Sequence, residues 1–156
     1  VSNVTKLEKL YGFAHGSNIN IVDAKFSQTK KAACMGNGAY KNIIMDKSAI
    51  TSTNEEASIL AEEIGHFETG ALYTIQATYN MPIARSNRIK YEAKAKRWAI
   101  TNYLPVDEIE KAVSHAAGDK YLAAEYCQVT AEFLDKAVEH YRTCGVIFTF
   151  DCDMLY

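Results

Sequence analysis

The sequence has few cysteines and no two of them close together. Cys34, Cys127, Cys144 and Cys152 form no CxxC pair, so the spacing by which cysteines hold a metal or form a redox dithiol is absent, and free thiols in core or surface positions are expected. A chain of 156 residues buries a real core without such staples. Charge of one sign is not in excess either. A formal net charge of -2 gives no broad positive field for nucleic acid or for an anionic membrane, and neither is expected as a partner. Long apolar runs are missing as well. The densest, "GVIFTF" from Gly145 to Phe150, is too short to cross a bilayer and is predicted as a short terminal β-strand over about 145–150. The N-terminus lacks the basic-then-apolar layout of a secretory signal, so a cytoplasmic protein is expected. Without an internal repeat, low-complexity tract or linker, residues 1–156 are expected to form a single domain.

What is present begins with an amphipathic helical stretch, "VTKLEKLYGFA", and three short extended candidates, "INIVDA", "KAACM" and "AYKNIIMD". The last two flank "GNG", Gly36 to Gly38, whose residues supply the positive φ of a tight hairpin, so a small antiparallel sheet is expected. The next helix, "STNEEASILAEEIGHFETG", has both ends signalled. Thr53 and Glu56 have capping-box spacing, Ser52 and Glu55 repeat it one residue earlier, and Gly70 suits a left-handed C-terminal cap. A segment containing Pro82 is ambiguous. Beyond it a helix is predicted from about Asn87 to Tyr103, stopped near Pro105, followed by shorter helices at "VDEIEKAVSHAA", "DKYLAAEYC" and "TAEFLDKAVEHYR".

Within the helix that ends at Gly70, a turn of about 100° per residue places Ala57, Leu60, Ala61 and Ile64, with Ala71 beyond, on the core-facing side. Glu62 and His66 fall opposite, one turn apart on a common face, while Glu63 points to the flank. That is the layout of the HExxH helix, whose positions i and i+4 hold zinc and whose second residue is the general base. A solvated face shows the same composition. Gly65 is a mid-helix glycine, which costs about 1 kcal/mol relative to alanine and implies a close neighbour, functional or merely packed. Glu92, on the following long helix, completes a three-ligand set if that helix folds back across the first; otherwise it pairs with Arg88 and Lys96 on its own helix.

Three blocks together, "EEASILAEEIGHFETGALY", "NRIKYEAKAKRWAITNYLP" and "AEYCQVTAEFLDKAVEHYR", resemble the ImmA/IrrE metallopeptidases in the short form carried by phages and mobile elements. The resemblance spans most of the chain. It implies an α+β fold in which a small N-terminal antiparallel sheet packs with a gluzincin-like zinc-site helix over about 1–80, followed by a helical part over about 87–142. It implies an endopeptidase that cleaves or otherwise inactivates a helix-turn-helix repressor. Carried over by position, Glu62 takes the first metal-ligand place, Glu63 that of the general base and His66 that of the second ligand. Glu92 takes the third, with Ala95 and Trp98 standing where the family's "ExxAxxFA" string has its alanine and aromatic. Glu62 departs from the family, whose better studied members have histidine there.

Zinc accepts carboxylate oxygen, so Glu62, His66 and Glu92 suit a tetrahedral site with one exchangeable position. An oxygen-rich set shifts preference toward harder ions such as manganese and acidifies a bound water less, so weaker activation than in a two-histidine site is expected. Three rival functions compete. A di-iron bundle needs two ExxH motifs on different helices, and only Glu63 to His66 provides one. The cadence of "KYLAAEYCQVTAEFLDKAVEHY" suits a DNA-reading unit, but its second helix opens Thr130, Ala131, Glu132 without the basic or amide side chains that read bases. The third rival is a module of the same fold that binds the repressor without cutting it, which Glu62 supports and the retained Glu63, His66 and Glu92 oppose.

Overall fold

The computed structural model describes residues 4–27, 29–36, 39–72 and 82–152. The architecture is α+β and mostly helical: seven α-helices and a three-stranded sheet among the described residues. α1 (Lys6–Gly16) is opened by a reciprocal cap, Thr5 Oγ1 accepting from Glu8 N at 3.2 Å and Glu8 Oε2 accepting from Thr5 N at 2.7 Å. Its Leu10 and Ala14 turn inward, one helical turn apart.

β1 (Ile19–Asp23), β2 (Ala32–Gly36) and β3 (Lys41–Met45) form the sheet in the order β1-β3-β2. β2 and β3 pair antiparallel, as expected. Gly36 has φ 152°, and a Cβ there would stand 1.7 Å from Tyr40 O, so only glycine fits the start of the turn. Asn37 and Gly38 lie outside the described residues. β1, in contrast, pairs parallel with β3, so the sheet is mixed and not antiparallel as expected. The chain leaves β1, crosses to the far edge as β2 and returns through the middle, and such a crossover permits parallel pairing where a hairpin does not. Alternation puts Ile43 and Met45 on the inner face without exposure, with Ile21 and Cys34 beside Ile43 and Ala32 beside Met45.

Asp46 closes the sheet and starts the path to the next helix. It is buried, caps the 3₁₀ turn Lys47–Ala49 by accepting from Ser48 N at 3.1 Å, and accepts from Phe26 N at 3.2 Å. α2 (Thr53–Glu68) follows, and its true N-cap is Ser52, accepting from Glu55 N at 3.1 Å. Glu55 reaches back to Thr51 N at 2.7 Å, and Gly70 beyond the C-terminus has φ 64°. α2 is buried on more than one side: Ser58, Gly65, His66 and Phe67 are covered along with Ala57, Leu60, Ala61 and Ile64. The face that carries Glu62 and His66 is roofed by α3 (Pro82–Tyr103), which starts at Pro82 and not near Asn87. Proline's fixed φ and missing N–H suit the first helical position.

α4 (Val106–His115), α5 (Lys120–Cys127) and α6 (Ala131–Thr143) match the sequence reading closely, with Asp119 and Thr130 as N-caps. Their buried Ile109, Ala112, Ala123, Ala124, Cys127, Phe133 and Leu134 continue the core begun under the sheet. Ser58 ties the two halves, donating to Asn54 O at 2.8 Å and accepting from Thr130 N at 3.2 Å. The "GVIFTF" run is not a strand. It passes without regular structure into the short helix α7 (Thr149–Cys152), with Phe148 fully buried and stacked on Phe150 at 4.8 Å. The sheet edges lie elsewhere, so the apolar run is used as a plug and not as a pairing partner. No helix among the described residues is long and apolar enough to cross a membrane.

The Ser48 hydroxyl and the backbone amides around Asp46 hold its carboxyl below the usual range. Because the folded value lies under the unfolded one, near 3.9, the stabilisation is complete above about pH 4 and is lost as pH falls through the folded value. Chemical denaturation from pH 6 down to pH 2 is expected to show Asp46→Asn less stable than wild type at pH 6 and losing less stability on acidification.

Candidate functional site

α2 and α3 meet at Gly65. A Cβ on that glycine would come within 2.4 Å of Ala95 O and 3.1 Å of its carbonyl carbon, so glycine allows one backbone to lie against the other. Ala95 is itself buried, and Trp98, one turn on, is half-buried with its ring 5.9 Å from that of Phe13 on α1. This packing sets Glu92 of α3 over His66 of α2.

His66 is buried. Its Nδ1 lies 2.8 Å from Ala71 O, and since a carbonyl only accepts, Nδ1 carries the hydrogen and Nε2 is left for another partner. That partner is Glu92, whose Oε2 lies 3.5 Å from Nε2. In the neutral imidazole both atoms are acceptors, so a proton or a metal cation between them is what makes the pair favourable. Burial disfavours a charged His66, but the bond to Glu92, the Ala71 carbonyl and the charges of Glu63 and Glu92 outweigh it and raise its pKa above the ordinary histidine value.

Glu63 turns toward the sheet, where Cys34 of β2 is its neighbour. Burial raises the Glu63 carboxyl above the usual range, against the opposing effects of His66 and Lys30. A carboxylate tuned upward in this way suits a general base. Cys34 in turn is pushed up to about 12, first by burial and then by the Glu63 charge, so it stays a thiol at neutral pH. Glu62 is only partly buried and is drawn to a different neighbour, with Lys96 Nζ 3.8 Å from its Oε1. Burial raises its pKa, while Lys96 and Lys136 oppose the rise.

The structure thus places Glu62, Glu63, His66 and Glu92 around one junction of α2, α3 and β2, with His66 and Glu92 directly opposed. Among the described residues, no three His, Cys, Asp or Glu side chains gather closely enough to hold a metal ion, and Glu62 stands beside Lys96. The donor chemistry fits a metal nonetheless: one imidazole nitrogen with its tautomer set, and two carboxylates on the same side. The sequence reading did not find Cys34, Lys30 or the Ala71 carbonyl. Cys34 was legible only as an inward position of a strand whose neighbour was unknown. The sequence places Lys96 within pairing reach of Glu92 on its own helix; in the structure its Nζ lies 3.8 Å from Glu62 Oε1 across the junction. His15 and His115 are exposed and His140 sits 3.8 Å from Cys144 Sγ, all with no part in this junction. No family model, no curated protein and no solved structure matches the chain.

Adding a methyl at Gly65 must push α3 off α2. Gly65→Ala is expected to lose about 1–3 kcal/mol of stability in urea titrations, despite alanine's better helix propensity. Gly12→Ala, in α1 with nothing within 4 Å, is the control and is expected to gain up to about 1 kcal/mol. Iodoacetamide at pH 8, followed by peptide mass mapping, is expected to label exposed Cys144 readily and Cys34 at least about tenfold more slowly.

Proposed function

We propose that this chain is a metal-dependent endopeptidase of the ImmA/IrrE kind, acting on a helix-turn-helix repressor of a phage or mobile element. The observation that carries the proposal is the opposition of His66 Nε2 and Glu92 Oε2 at 3.5 Å, with Nδ1 committed to Ala71 O. Two acceptors held face to face in a half-closed junction suit a cation, and zinc or manganese accepts both atom types. His66, Glu92 and, once turned from Lys96, Glu62 hold the ion. When bound, the ion polarises a peptide carbonyl and lowers the pKa of water.

Glu63 supplies the remaining chemistry from the chain itself. It removes the proton of the attacking water and returns it to the departing amine, a role that its raised pKa suits. The outer edge of β2 runs beside this carboxylate through Cys34, and an extended peptide pairing there is presented to Glu63. The ion pair from Lys96 to Glu62 favours a second reading, a repressor-binding module that holds no metal and cuts nothing.

Elemental analysis of protein purified without a histidine tag, together with binding and cleavage assays on helix-turn-helix repressors, tests the two. About one zinc or manganese per chain, lost in His66→Ala and Glu92→Ala, is expected. Glu63→Gln is expected to keep the metal and lose cleavage by at least about a hundredfold. Folded wild type that takes up neither ion and binds the repressor intact would instead establish the binding module.

A further inference from the structure

The cation beside Glu62 is a side chain of the protein. Lys96 lies one turn beyond Glu92 on α3, so the helix that carries one carboxylate to His66 also carries an ammonium to the other carboxylate of the set. The Lys96 and Glu62 side chains are 33% and 32% exposed, so the pair lies at the mouth of the junction and not in its depth. Lys136 of α6, paired with Glu132, adds a second positive charge acting on Glu62. Two cations from two helices therefore converge on one glutamate.

We infer that Lys96 is a tethered counter-ion that competes with the metal ion for Glu62. The ion pair neutralises Glu62 in the metal-free protein, and a metal ion is admitted when the ammonium leaves the carboxylate. The inference rests on the proposed ligand set of Glu62, His66 and Glu92. Lysine suits the task because its flexible four-carbon stem swings the charge back to water when released. The partial exposure of the pair matters as much. A deeply buried ion pair would bar the ion, whereas a screened one of this kind is weak and readily exchanged. His66 and Glu92, opposed at 3.5 Å, form the first landing point, and Glu62 joins on exchange.

The test is Zn²⁺ affinity of the full chain, measured by competition with a chromophoric chelator near neutral pH. Lys96→Gln is expected to bind about fivefold more tightly than wild type, the scale of a partly exposed ion pair. Lys96→Arg keeps the charge and is expected to bind no more tightly than wild type. Lys94→Gln removes the same charge from an exposed position nearly half a turn round α3 and is expected to stay within about twofold. Equal affinity in wild type and Lys96→Gln, or an equal gain in Lys94→Gln, would overturn the competition while leaving the metal site standing. Absence of binding in every folded variant would overturn both. Circular dichroism of each variant separates loss of fold from loss of binding.

Discussion

The contact between the backbone of Gly65 and the carbonyl of Ala95 governs the whole junction. Helices that carry side chains at their crossing pack about 8–10 Å apart, and a glycine lets the axes approach more closely. Everything chemical here hangs on that difference. Glu92 and Lys96, one turn apart on α3, reach His66 and Glu62 on α2 because the two backbones touch between them. Ala95 and Trp98 then have physical tasks. One is small enough to lie in the contact, and the other anchors the helix against α1 through Phe13.

Around this contact the protein gathers three carboxylates and one histidine in a partly dehydrated place, an arrangement that is unfavourable unless positive charge accompanies it. Burial raises the pKa of both Glu62 and Glu63. The compensation comes from separate elements: Lys30 before β2, Lys96 on α3 and Lys136 on α6. The cluster is therefore held in balance by charges that differ in mobility. His66 is held by Ala71 just past the helix end, whereas the lysines end in flexible chains. A fixed imidazole and flexible cations thus share one junction.

Much of this was legible in the sequence where the cause is local. Ser52 with Glu55 opens α2 and Gly70 closes it, each through bonds made within a few residues. The antiparallel β2–β3 pair follows from Gly36 and the short turn. What escaped is long-range. Nothing in β1 states that it docks parallel to β3, because the choice depends on where the returning chain leaves room. The "GVIFTF" run has strand composition, yet Phe148 is taken into the core, and packing overrides propensity there. The face of Glu62 and His66 looked solvated because periodicity describes one helix at a time. The only local sign of a roof was Gly65. For the candidate site, His66 and Glu92 are brought face to face while Glu62 stands beside Lys96, and the neighbours that tune them, Cys34, Lys30 and Ala71, come from elements whose approach no spacing rule encodes.

The strand order β1-β3-β2 also has a bearing on how the molecule assembles. The strand made last is the one in the middle, so β1 has no neighbour to pair with until β3 has emerged. The β2–β3 hairpin closes a short loop and forms on the microsecond scale, while docking of β1 closes a longer one and waits for it. α2 begins a few residues after β3, separated by the turn that Asp46 caps, so its inner face meets a completed sheet almost as soon as it is made. α3 comes later still. In the order of the chain the histidine therefore precedes its facing glutamate, and the junction closes only when α3 packs back onto α2.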